Sequence, residues 1–256
     1  INCLANNFGD DDLATLLTAI EGSSVRSLCG LTEGQTGADF SGQNVGPIDM
    51  KIMAAEFGFQ GFIAAVEAVA IGGNPIGSEG GATLLETIKT SKLKTIDIGK
   101  PLPLQEPYES DTLDLSKTSM DAGHVLLLSW WLGTEFSAVL TSMNCLNNPL
   151  GDGVHTIIKV FEETPRLRTL CGLEEGVEQI DWSDSDKGPA DVALLAIELK
   201  VGRAVAVVTS INCLANNFGD DDLATLLTTI EGTSVRSLCG LTEGQTTADF
   251  SGQNLR

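Results

Sequence analysis

Apolar residues recur along this chain at two alternating periods. One set is spaced i, i+3, i+4, i+7: Leu13, Leu16, Leu17, Ile20; Gly81, Leu84, Leu85, Ile88; Val154, Ile157, Ile158, Phe161; and Leu223, Leu226, Leu227, Ile230. That spacing places one apolar stripe along one side of a helix. Met50, Met53, Ala54, Phe57 and Val192, Leu195, Ala196, Leu199 follow the same rule.

Between these helices the pattern changes to alternation. Val66, Val69, Ile71, Asn74 are matched by Leu140, Met143, Cys145, Asn148 and by Val208, Ile211, Cys213, Asn216. Alternation puts Ile211 and Cys213 on one face of a short strand. The asparagine amide, both donor and acceptor, can then satisfy the backbone where the chain leaves the strand. Strands are predicted near Ile1 to Cys3, Val69 to Ile71, Leu113 to Leu115, Met143 to Cys145, Ile180 to Trp182 and Ile211 to Cys213.

The text repeats. Ile1 to Asn44 returns as Ile211 to Asn254, differing only at Ala19/Thr229, Ser23/Thr233 and Gly37/Thr247. Weaker copies begin near Val66 and Leu140, and all four copies are followed by a second half-unit, at Val25, Leu93, Leu167 and Val235. Short units therefore alternate with long ones, and an internal period of this kind favours an array over separate globular domains.

Strand, turn, helix, strand at this pitch resembles the leucine-rich repeat family, in its ribonuclease-inhibitor-like class, over the whole chain. The resemblance implies an α/β fold: a right-handed leucine-rich-repeat solenoid, or horseshoe, with parallel strands on the concave face and helices on the convex face. Residues 1–256 are expected to form a single such solenoid. Neither end carries a polar cap, and the text runs from inside a strand at Ile1 to just beyond one at Arg256, so a fragment of a longer array is expected.

Long units depart from the family pattern. The segment from Leu28 to Ala38 is too short for a further strand and helix, and is read as a tight turn or small hairpin at the sheet edge. The asparagine position becomes Gln43, Thr118 and Ser185 there, predicting local irregularity at every second coil.

Composition adds constraints. With 256 residues, 42% hydrophobic content and 28 glycines, the chain can bury a large core without metals or disulfides. Its 35 acidic and 15 basic residues give a formal charge of −20, which repels nucleic-acid phosphates and anionic lipid surfaces. Basic proteins are the electrostatically favoured partners, although acidity is also a general solubility device. No window approaches the apolar length needed to span a bilayer.

The acidic runs at Asp10, Asp11, Asp12 and Asp220, Asp221, Asp222 open predicted helices, where carboxylates cap amides and offset the helix dipole. Consecutive helical residues diverge, so calcium is not expected there, and the weaker cluster Asp181, Asp184 and Asp186 is read as a solvated loop. The six cysteines form equally spaced pairs: Cys3 with Cys29, Cys145 with Cys171, Cys213 with Cys239. In the repeat register Cys213 points inward and Cys239 aligns with Asn212 on the opposite face, which forbids disulfide geometry. Free thiols in an intracellular, reducing compartment are expected. His124 and His155 are read as residues at helix surfaces or boundaries, and Gly72, Gly73 and Gly77 as turn glycines. No metal or cofactor is expected.

Two surfaces remain for binding. One is the outward row of the strands, Asp39, Asp97, Asp114, Asn144, Asp181 and Asn212, joined by Thr209, Ser210, Arg26 and Arg168. The other is the run Val125 to Leu132, where Val125, Leu128 and Leu132 face the core, leaving Leu126, Leu127 and one or both of Trp130 and Trp131 pointing sideways or outward, toward neighbouring helices or a partner. The expectation is a non-enzymatic protein-interaction scaffold, a candidate subunit of a larger assembly. The alternatives are a structural array that stacks through its repeats, and a repeat domain attached to an enzyme outside this segment.

Overall fold

A computed structural model describes residues 1–58 and 65–251. The chain-end reading at Asn254 and Arg256 lies outside the described residues. The protein is mixed α/β, with seven α-helices and eight three-residue strands among the described residues, and it divides into two compact units. The first comprises Ile1–Glu109, Thr118–Val139 and Pro149–Ile157; the second comprises Ser110–Lys117, Leu140–Asn148 and Ile158–Arg256.

In the first unit, α1 (Asp10–Ile20), β1 (Gly37–Asp39), α2 (Pro47–Gly58), β2 (Ala68–Ala70), α3 (Gly77–Thr90), β3 (Thr95–Asp97) and β4 (Pro101–Pro103) precede α4 (Ala122–Leu132). Strands β1, β2 and β3 are parallel, with Ala38 opposite Val69 and Val69 opposite Ile96. The β4 strand turns back antiparallel to β3, so the small hairpin expected in the long units forms here. The strand centres, and Phe40, Ile71 and Ile98 two residues on, are buried.

Helix α3 lies close on α4 because both faces carry glycine. A Cβ on Gly81 would fall 2.5 Å from the Cα and carbonyl oxygen of Gly123. The stripe residues of α2, α3 and α4 fill the core, among them Met50, Met53, Leu84, Ile88, Val125 and Leu128.

The second unit holds β5 (Thr112–Asp114), β6 (Ser142–Asn144), β7 (Gln179–Asp181), α6 (Pro189–Val201), β8 (Ser210–Asn212) and α7 (Asp220–Ile230). Strand β5 is parallel to β6, with Leu113 opposite Met143, and β7 is parallel to β8, with Ile180 opposite Ile211. The remaining helix, α5 (Gly153–Glu163), buries Val154, Ile157 and Phe161, three of its four stripe residues.

Six strands were expected, and five form, each displaced by one residue toward the N-terminus. The sixth, at Ile1 to Cys3, is reduced to a single antiparallel bridge between Asn2 and Cys29. In place of one continuous sheet there are three small ones among the described residues.

A buried carboxylate accounts for much of this. The half-unit after β6 begins parallel, at Ser142 with Thr169, but then bridges antiparallel at Asn144 with Cys171 and turns at Gly172, where φ is +67°. Its Leu170 and Cys171 amides donate to Glu198 of α6, so they cannot serve a ladder. Leu28 and Cys29 donate in the same way to Glu56 of α2, each at 2.8 Å. At the corresponding place α4 carries Leu128, and there the half-unit forms the true strand β3.

The asparagine positions do the work expected of them. Asn74 Nδ2 donates to the Phe40 and Ile71 carbonyls, both at 2.8 Å, while its Oδ1 accepts from Val45 N at 3.1 Å. Asn148 and Asn216 repeat the pattern toward Leu115 and Trp182. In the irregular coils, Gln43 donates to Asp39 O and Ser185 to Trp182 O.

Candidate functional site

One candidate site lies in the second unit, on the outward side of β5 and β6. It is a groove of about 450 Å³ whose floor includes Thr112, Asp114, Ser142 and Asn144. The half-unit that leaves β6 forms its wall through Arg168, Thr169 and the loop to Glu174 and Glu175. Parallel pairing sets the floor, since alternation turns Leu113 and Met143 into the core and leaves Thr112, Asp114, Ser142 and Asn144 outward. The wall is held by the amides of Leu170 and Cys171 on Glu198, whose burial raises its pKa even though these bonds favour the carboxylate.

Acids dominate the groove. Asp111, Asp114, Glu174 and Glu175 line it together with Arg168, whose guanidinium pairs with Glu175 at 2.7 Å and also donates to the Arg203 carbonyl at 3.0 Å. Arg203 in turn stacks on Phe161, 4.6 Å from its ring centre, and donates to the Phe161 and Leu167 carbonyls. The half-unit is thereby fastened at its start by Arg203 and at its middle by Glu198.

Of the outward row expected to bind, Asp114, Asn144 and Arg168 meet in this groove. Asp181 and Asn212 sit on the separate β7–β8 pair, and Asp39 and Asp97 on β1 and β3 of the first unit. Ser210, expected to be exposed with them, is buried.

Every carboxylate and amide of the row also has a local structural task that the sequence reading missed. Asp39 accepts from Ser41 N, Asp97 from Gly99 N, Asp114 from Ser116 N and Asp181 from Ser183 N, at 2.7–3.0 Å. Asn144 and Asn212 accept from the amides of Leu146 and Leu214. These are Asx turns that bend the chain off each strand. The signal was present at Asp39, Asp114 and Asp181 as aspartate followed two residues later by serine, and at Asp97 by glycine. Hydrogen bonds from Ser41 and Ser183 hold the Asp39 and Asp181 carboxyls below the usual aspartate range.

The tryptophan surface needs correction. Trp131 is wholly buried: its Nε1 donates to Pro103 O at 2.8 Å, and Tyr108 packs edge-on at 5.5 Å. It is a core residue and cannot reach a partner, while Trp130 is half-buried. Helix α4 is apolar on nearly every side because it is covered on nearly every side; Leu127 is buried as well.

His124 also departs from expectation. It is fully buried, with Nδ1 2.8 Å from Asp121 Oδ1 and Nε2 3.1 Å from Ile71 O. His155 is exposed on α5. The acidic run at Asp10 opens α1, with Asp12 accepting from Gly9 N at 2.8 Å, and Asp222 does the same for Gly219 N at the start of α7.

All six thiols are free, but Cys29 and Cys171 lie in the interior and not on the open face. The Glu56 and Glu198 carboxylates reach over and bury them. Burial pushes the Cys145 and Cys213 thiols up to about 12, and raises Cys171 well above the ordinary thiol value, with the Glu198 charge adding to it.

No helix among the described residues is long and apolar enough to cross a membrane. Compared with known proteins, the chain matches no family model, and no curated sequence matches it significantly.

Proposed function

We propose that this chain is a leucine-rich-repeat-like solenoid acting as a non-enzymatic protein-interaction scaffold, a subunit of a larger assembly within an intracellular, reducing compartment. On this reading residues 1–256 are one array, the parallel strands line its concave face, and the acidic groove over β5 and β6 takes an extended basic segment of a protein partner. The groove itself carries the proposal: four carboxylates and one arginine converge on a rigid strand pair. The non-enzymatic reading is supported by the tasks of the residues that usually do chemistry. His124 is locked between Asp121 and a backbone carbonyl, and the buried thiols are held protonated. Six free cysteines support the reducing compartment.

The test is fluorescence anisotropy with lysine- and arginine-containing extended peptides. Binding should weaken as salt rises, because exposed charges are screened beyond roughly 8 to 10 Å. It should also weaken when Asp111 and Glu174 are changed to Asn and Gln. Affinity that ignores both salt and these substitutions would remove the groove from consideration.

The structural-array reading is favoured by one observation, the near-identity of 1–44 with 211–254. End-to-end association of the purified protein in sedimentation, without any partner, would support it over recognition.

A further inference from the structure

Three coils of the chain hold two cysteines each, and one backbone frame brings every pair together. In the middle coil Cys145 N donates to Leu170 O and Gly172 N to Met143 O, both at 2.8 Å, on either side of the antiparallel bridge between Asn144 and Cys171. Bonds flanking a bridge in this way mark the narrow kind of antiparallel pair, with Cα atoms about 4.5 Å apart. One step along the strand, at about 3.3 Å per residue, the Cα atoms of Cys145 and Cys171 are then about 5.5 Å apart, within the span of a disulfide. Both side chains are buried, Cys145 at 1% and Cys171 at 4% exposure. They are close enough that charge on Cys145 helps to raise the Cys171 thiol.

The frame recurs at the other two pairs. Cys3 N donates to Leu28 O at 2.7 Å and Gly30 N to Ile1 O at 2.8 Å; Cys213 N donates to Leu238 O at 3.0 Å and Gly240 N to Ile211 O at 3.1 Å. The glycine after each second cysteine is left-handed, at φ +77°, +67° and +75°, and a Cβ on it would fall 3.1, 2.9 and 3.0 Å from the Cβ of Asn2, Asn144 and Asn212. Only glycine allows the half-unit to turn back so closely. The fourth coil has neither cysteine and lacks the frame: Ile71 and Asp97 stand at these places, and the half-unit continues as the parallel strand β3.

We infer that Cys145 and Cys171 are a reversible dithiol–disulfide pair, modified by low-molecular-weight disulfides, whose closure ties the half-unit covalently to β6. One cysteine thiolate attacks the small disulfide and expels one of its thiolates; the thiolate of the other cysteine attacks the mixed disulfide and expels the second. Two protein S–H bonds and one small-molecule S–S bond are lost, and one protein S–S bond and two small-molecule S–H bonds form, so the pair is oxidised and the small disulfide reduced. Burial keeps both thiols protonated. Attack therefore waits for the half-unit to open, which makes exchange slow, and the reduced pair draws no stability from a thiolate, which makes the closed disulfide a weak oxidant. The inference stands on the backbone frame and does not depend on what the acidic groove binds.

The test equilibrates the intact protein with mixtures of reduced and oxidised glutathione, approached both from the folded protein and by refolding from urea in the same mixture. After acid quenching, unfolding and alkylation, trypsin places Cys145 in residues 118–159 and Cys171 in residues 169–187. The two peptides should appear joined, lighter than their sum by two hydrogens. Oxidation should also raise the urea midpoint by about 1 M more in the native sequence than in Cys171→Ser, since the link closes a loop in the unfolded chain. Peptides that remain separate and alkylated from both directions would overturn the inference, as would Cys145 joined to other cysteines as often as to Cys171. A link that forms without raising the midpoint would be strained and foreign to the native frame, and would equally overturn it.

Discussion

Replacing Asn74 by alanine tests whether the asparagine positions hold the coils together through buried backbone groups. Asn74 is 2% exposed. Its side chain serves three main-chain groups at once: the carbonyls of Phe40 and Ile71 and the amide of Val45. All three of those residues are buried, so water does not replace the lost amide. An orphaned buried polar group costs about 1–3 kcal/mol, and partial relaxation around three of them predicts a loss of about 3–5 kcal/mol. Asn6 occupies the equivalent place in the first coil and makes two bonds of the same kind, to Cys3 O and Leu4 O, but is exposed. Its replacement should cost about 0.5–1 kcal/mol, because water takes over.

Both residues belong to the first unit, and the indole of Trp131, buried there, reports on it. Urea unfolding followed by tryptophan fluorescence gives the two midpoints. With an m-value of about 1–3 kcal/mol per molar, the Asn74→Ala midpoint should fall by at least about 1 M and the Asn6→Ala midpoint by a fraction of that. Asn74→Asp should be no better than alanine, since a carboxylate would face two carbonyl oxygens. Equal shifts for Asn74→Ala and Asn6→Ala would refute the claim that burial of the bonded groups sets the cost.

Three further outcomes follow from the same reasoning. Glu198 has its folded pKa raised mainly by burial, so its contribution is fully present below the ordinary glutamate range of about 4.3 and is lost as pH rises through the folded value. Thermal melts from about pH 4 to pH 8 should show this decline in the native protein and not in Glu198→Gln, and a native protein that gains stability relative to the variant over that window contradicts it. Gly81→Ala drives a Cβ to 2.5 Å from the Gly123 backbone, and urea unfolding should show a loss of about 2 kcal/mol or more; a neutral result would mean that α3 and α4 part freely. In timed alkylation of the folded protein Cys239 should react first, with Cys29, Cys145 and Cys171 silent until unfolding; labelling of Cys171 at the Cys239 rate would contradict its burial under Glu198.

Periodicity exposed the helices and strands because burial imposes it. The stripes of α3, α5 and α6 and the alternation at Val69, Met143 and Ile211 describe what faces the core. The loss of a continuous sheet was not legible where it depends on which amides find a carboxylate, as at Leu28 and Cys29 with Glu56 and at Leu170 and Cys171 with Glu198. A warning was present nonetheless: Glu56 and Glu198 fall within the apolar stripes of their helices, at Met53, Glu56, Phe57 and at Leu195, Glu198, Leu199. A charge in a core stripe is unfavourable unless hydrogen-bonded. Each has an oxygen serving two amides, and Glu56 Oε1 and Glu198 Oε2 lie buried without a partner. At the candidate site, the outward row was legible by alternation, whereas the convergence of Asp114 and Asn144 with Glu174 and Glu175 required the turn at Gly172.

The repeated text separates what local sequence dictates from what a neighbour dictates. In both copies the acidic run opens a helix, Asp10–Ile20 and Asp220–Ile230, and Asp12 and Asp222 accept from the preceding glycine at 2.8 and 2.9 Å. Both copies also hold an alanine left-handed, and both anchor an arginine on a nearby carbonyl, Arg26 on Ser23 and Arg236 on Thr233. These features are local, and identical residues reproduce them. Strand and burial are not: Ile211 is buried in β8 beside β7, while Ile1 is 63% exposed and its neighbour Asn2 makes only a bridge. On the other side the order reverses, with Leu28 buried under α2 and Leu238 only half-buried. Each copy of the text therefore carries its own turns and helix caps, but takes its core from the elements beside it.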